Sequence, residues 1–143
     1  MVGMQKVKTL LNLWAPVLFW MALIFTFSSI QVGSASEFYW KDFIVKKTAH
    51  IIEYGVLATL VYRALINSNV NKNKSMWLSV LVAFLYGLTD EFHQSFTPGR
   101  GPKFTDVLID TFGAILFIYG IVNNVKKMPI AVKDLLNKIS INN

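Results

Sequence analysis

This sequence predicts an all-α membrane protein of four transmembrane helices, with both termini cytoplasmic and a short amphipathic C-terminal tail. Composition is the first reason: 54% of residues are hydrophobic, 15% are charged and mean hydropathy is +0.46, a balance typical of membrane chains. The second is charge distribution, because long runs nearly free of charge alternate with short basic patches. The third is length, since each apolar run approaches the roughly 20 residues needed to cross a bilayer. With 143 residues there is room for a single domain, 1–143. Cysteine is absent, which excludes disulfides and thiol catalysis.

The helices are expected at about 10–30, 43–66, 76–96 and 104–122. Pro16 in the first is tolerable as a kink where neighbouring helices satisfy the freed carbonyl. A cleaved signal peptide is the competing reading, with Lys6 and Lys8 as its basic start and Gly33-Ser34-Ala35 as a small-residue cleavage site. The apolar run exceeds the roughly 7–15 residues of such segments, so a retained helix is expected. Asn67 to Lys74 forms a polar turn. The tail, 123–143, alternates apolar Ile130, Val132, Leu135, Leu136 and Ile139 with Lys133, Asp134 and Lys138, as in a helix resting on a membrane surface.

Loop charges set the orientation. Lys6, Lys8, Arg63, Lys72, Lys74, Lys126, Lys127, Lys133 and Lys138 fall on one side; Lys41, Lys46, Lys47, Arg100 and Lys103, with Glu37 and Asp42, fall on the other. The positive-inside rule makes the richer side cytoplasmic. The net charge of +6 then reads as orientation and attraction to anionic lipid headgroups. No zinc-finger spacing, basic helix or aromatic-basic motif points to nucleic acid.

One stretch departs from this apolar background. Between Tyr86 and Asp110 stand Asp90, Glu91, His93, Gln94, Arg100, Asp106 and Asp110, holding four of the chain's eight acids and one of its two histidines. Ionisable groups inside a membrane segment are costly unless paired, hydrated or bound to a ligand. Helical spacing places Lys47, His50, Glu53 and Tyr54 on one face, Asp90, His93 and Gln94 on another, and Asp106, Asp110 and Gly113 on a third. Glu53 lies six residues past Lys47, Asp90 six before Phe96 and Asp110 six past Phe104, each about 9 Å below the outer helix end on that count at 1.5 Å per residue. Three carboxylates at one depth suggest a shared, outward-facing pocket. Gly55, Gly87 and Gly113 would let the helices approach near that level. Interhelical hydrogen-bond glue is the plainer reading of any one of these residues.

Three segments together resemble the VanZ-like family of small bacterial membrane proteins. They are Lys47-x-x-His50-x-x-Glu53-Tyr54-Gly55, Tyr86-Gly87-x-x-Asp90-Glu91-x-His93-Gln94-x-Phe96-x-Pro98-Gly99-Arg100 and Asp106-Val107-x-x-Asp110-x-x-Gly113. The resemblance covers about 46–120; the family often has Asn where Asp110 stands. It implies a multi-pass protein of the bacterial cytoplasmic membrane, related to one that lowers susceptibility to teicoplanin, a lipoglycopeptide that binds cell-wall precursors. No phosphate-cradling glycine loop or coenzyme A site accompanies it.

Three functions fit these residues. The first is an enzyme on a lipid-linked or envelope substrate, performing metal-assisted hydrolysis or transfer. Glu53, Asp90 and His93 would then do acid-base work, and Lys47, Gln94 and Arg100 would hold the substrate. His50, Glu91, Asp106 and Asp110 would ligate a divalent cation. The second is a binding module for a lipid headgroup, a lipid-linked wall precursor or the glycopeptide itself. The third is an ion or proton pathway, disfavoured because no polar half-channel leads to the cytoplasmic side. Membrane lipids are partners under every reading.

Overall fold

The computed structural model describes residues 2–30, 39–98, 101, 103–124, 127 and 129–138. Five helices and no strand are found among them: α1 Val2–Ser29, α2 Tyr39–Ile66, α3 Lys72–Gln94, α4 Phe104–Asn124 and α5 Ile130–Lys138. The cleavage site considered at 33–35, Lys126 and Ile139 lie outside the described residues.

Side-chain contacts fix the bundle's topology. Trp20 Nε1 donates to the Glu53 carbonyl at 2.9 Å and Arg63 reaches the Asn12 carbonyl, so α1 and α2 run antiparallel. Tyr86 Oη donates to the Met21 carbonyl at 2.6 Å, and His93 lies on Phe25, so α3 runs parallel to α1. His50 meets Asp110 and Lys47 meets Asp106, so α2 and α4 run parallel. The four long helices therefore alternate up and down. Connections of few residues between consecutive helices favour this arrangement. The α2–α3 turn closes through Asn69, whose φ of 62° is a left-handed conformation that asparagine tolerates.

Packing between α2 and α4 depends on glycine. A Cβ at Gly113 would stand 2.5 Å from the Ile51 carbonyl oxygen, and one at Gly55 would enter the Phe117 ring. Gly87 differs, since a Cβ there would meet Val107 at 3.5 Å, an ordinary contact. The expected close approach thus rests on Gly55 and Gly113, with Gly87 less constrained.

Among the described residues, three helical segments are long and apolar enough to cross a membrane: Val7–Ser29, Phe43–Ile66 and Phe104–Asn124. The third expected span falls within α3 and is not among them. Its buried face explains why: Ser75, Ser79, Ala83, Gly87, Asp90, Glu91 and Gln94 are small or polar. Such residues serve helix-to-helix contact rather than hydropathy. Away from these polar groups the core is apolar, built on Leu57, Ala58, Val61, Tyr62, Ile118 and Ile121, with Leu13 and Val17 from α1. Leu136 of α5 is buried as well, while Ile130 and Leu135 are exposed.

Candidate functional site

The C-terminal end of α1, the N-terminal end of α2, the C-terminal end of α3 and the N-terminal end of α4 meet at one end of the bundle. They enclose a cavity of about 760 Å³. Its polar lining includes Lys46, Lys47, His50 and Glu53 from α2, Asp90 and Gln94 from α3, and Asp106 from α4. Ile24, Phe27 and Ser28 supply the α1 wall, and Gly101 and Lys103 border it from the α3–α4 connection. The volume falls within the range of small-ligand sites, about 300–1,000 Å³.

An ion pair and a histidine–carboxylate hydrogen bond link α2 to α4. Lys47 Nζ engages Asp106, and His50 Nδ1 lies 3.0 Å from Asp110 Oδ1. Both pairs lie on the α2 face with i, i+3 spacing. Asp110 is 1% exposed and sits behind His50, so its carboxylate holds the imidazole rather than lining the cavity.

Asp90 is satisfied on one side only. Its Oδ2 accepts from Gln94 Nε2 at 2.9 Å and, more distantly, from Tyr54 Oη at 3.4 Å. Its Oδ1 has no hydrogen-bond donor among the described residues, although the residue is only 3% exposed. A buried carboxylate oxygen without a donor is costly, which makes this position on the cavity wall the natural seat for a donor brought by a ligand. Glu91 is engaged elsewhere. Its Oε2 accepts from the Lys103 backbone N–H at 2.8 Å and ties the connection to α3.

Seven of the ten residues expected at the site line this cavity or lie directly behind it: Lys47, His50, Glu53, Asp90, Gln94, Asp106 and Asp110. Glu91 serves the connection. His93 packs its ring 4.0 Å from that of Phe25 and does not line the cavity; the cavity's histidine is His50. Arg100 lies outside the described residues. Of the four residues expected to ligate a metal, His50 and Asp110 meet each other, Asp106 meets Lys47 and Glu91 meets the Lys103 backbone; no group of three or more His, Asp or Glu placed to hold an ion is found among the described residues.

The motifs give no hint of the α1 wall. Its signal lies in the spacing of Ile24, Phe27 and Ser28, which share one helical face. Tyr54 is visible in the sequence only as a member of the α2 face, whereas its hydroxyl reaches Asp90 of α3.

The architecture defines a class: an apolar helical bundle whose membrane-length helices gather ionisable side chains at one end. Within it, the chain belongs to the VanZ/LLP1 family, whose model matches residues 13–125. The match begins inside α1, so the family unit extends beyond the 46–120 stretch carried by the motifs. No curated protein and no solved structure matches the chain.

Proposed function

We propose that this protein is a four-pass bacterial membrane protein whose cavity opens on the extracytoplasmic side. There it binds or acts on a lipid-linked or other envelope component and lowers susceptibility to lipoglycopeptides such as teicoplanin. The half-satisfied Asp90 carboxylate on the wall of a cavity of about 760 Å³ carries this reading. Family membership supports the resistance role, and the distribution of lysine and arginine supports the orientation. In this reading α3 is the fourth crossing; at 23 residues it is about 34 Å long.

The test is teicoplanin susceptibility of cells expressing the wild type, Glu53→Gln or Asp90→Asn at equal membrane levels. Both variants are expected to lose protection; normal protection by both would remove the cavity from the function. Orientation is read by a cysteine at Gly101, against a background with no native thiol. Labelling by a membrane-impermeant reagent outside intact cells is expected, and labelling only after lysis would reverse the topology.

A catalytic reading is favoured by the His50–Asp110 pair. With Nδ1 donating to Asp110, Nε2 of a neutral imidazole is left as the proton acceptor. His50 would then be the general base for hydrolysis or transfer on the bound headgroup. Turnover of a lipid-linked substrate by wild type and not by His50→Gln, with binding retained, distinguishes enzyme from binding module. A divalent metal that copurifies with wild type and is lost in Asp90→Asn would favour metal-assisted chemistry.

A further inference from the structure

An apolar cleft of about 270 Å³ runs between α1 and α2 and adjoins the polar cavity. Its walls are Trp20, Leu23, Ile24, Phe27, Ala49 and Ile52, with Glu53 as the only ionisable contributor among the described residues. Ile24, Phe27, Ala49 and Glu53 line both spaces. The two are therefore immediate neighbours of opposite character.

We infer that this joint site takes a phospholipid whose headgroup carries a primary ammonium, with one hydrocarbon chain in the α1–α2 cleft and the headgroup in the cavity. The inference rests on the cavity being the functional site and names the class of molecule that it takes.

Position supports the chain assignment. Trp20 to Phe27 spans seven residues, about 10 Å along α1 at 1.5 Å per residue. The cleft thus follows the direction in which a lipid tail lies. Phe27 and Ile52 of the cleft wall and the neighbouring Val45 of α2 are themselves largely exposed, so this side of the bundle faces the apolar surroundings from which a chain would enter.

Charge supports the headgroup assignment. Lys46 and Lys103 are exposed at the cavity margin and are suited to a phosphate. Asp90 Oδ1, buried and without a donor among the described residues, is suited to an ammonium. A cationic donor is favoured over a hydroxyl because it adds opposite-charge attraction to the hydrogen bond and compensates a carboxylate held away from water. Trp20 closes the deep end, its indole N–H held on the Glu53 carbonyl rather than available to a ligand.

The experiment uses the full chain in phosphatidylcholine nanodiscs containing trace phospholipid with a photoactivatable acyl chain. The probe's headgroup is ethanolamine, choline or glycerol, and crosslinked residues are mapped by mass spectrometry. The ethanolamine probe is expected to label Leu23, Phe27 or Ile52 roughly tenfold more than the other two, the scale of one charge-assisted hydrogen bond. Asp90→Asn should remove that headgroup preference. Ala49→Phe, or Leu23→Trp if the first variant melts early, should abolish labelling in the cleft for every headgroup. Labelling spread evenly around the bundle, or equal labelling by all three probes, would overturn the proposal. If Asp90→Asn and Glu53→Gln lose glycopeptide protection while labelling is even, the lipid assignment fails and the cavity stands. If both variants protect normally, the cavity reading itself fails.

Discussion

The two ends of the same four-helix bundle are held together by opposite means. At one end, Leu57, Ala58, Val61, Tyr62, Ile118 and Ile121 are buried among apolar neighbours. At the other, the same helices present Lys47–Asp106, His50–Asp110 and the Tyr54–Asp90–Gln94 cluster around a cavity. Apolar contact would have sufficed to join the helices at both ends. Buried ionic groups gain little net stability because desolvation offsets most of their attraction. Their concentration at one end, where Asp90, Glu91 and Asp110 each have a buried carboxylate oxygen with no donor among the described residues, is the pattern of a site shaped for something other than stability.

That contrast is most strongly tested at His50. His50→Ala removes the partner of a carboxylate that is 1% exposed and should destabilise the fold by about 3–5 kcal/mol. Heat-induced loss of monodisperse protein in detergent reads this. Combining His50→Leu with Asp110→Leu should restore most of the stability yet leave no protection against teicoplanin. A double variant that stays unstable would make the pair a structural requirement. At the apolar end, Leu57→Ala should cost about 2–5 kcal/mol through the cavity it leaves. Protection should then fall only as far as folded protein falls.

Glycine provides a smaller test that is independent of charge. Gly113→Ala forces a methyl against the Ile51 backbone and should cost about 1–3 kcal/mol, whereas Gly87→Ala should be nearly silent. Equal effects in the same melting assay would contradict the close α2–α4 approach. Smallest of all is Lys46→Gln. This exposed cavity-margin lysine should contribute about 0–1 kcal/mol to stability, while its loss weakens retention of a phosphate-bearing headgroup.

Much of the fold is legible in the sequence because apolar run length and helical period are local properties. The expected helices at 43–66 and 104–122 correspond to α2 and α4, and the breaks fall near Asn69 and Pro98. The third helix shows the limit of hydropathy: Ser75, Ser79, Ala83 and Gly87 are buried by packing and carry almost no apolar signal. The candidate site is legible as faces, not as partners. His50 and Asp110 are 60 residues apart, and their meeting depends on how α2 and α4 are rotated against each other. Spacing along a helix leaves that rotation open, so their pairing is not visible from either helix alone. His93 shows the same effect, since its place one turn from Asp90 does not prevent its ring from turning toward Phe25. The role of α1 is concealed because its wall is almost wholly apolar.

The most direct test is the thermal stability of Asp90→Asn, measured beside its protection of cells. Neutralising a buried carboxylate that has only one satisfied oxygen removes a desolvation cost. The midpoint should therefore hold or rise while protection is lost. A midpoint that falls in proportion to protection would show that Asp90 serves the fold and that the polar end is not a ligand site.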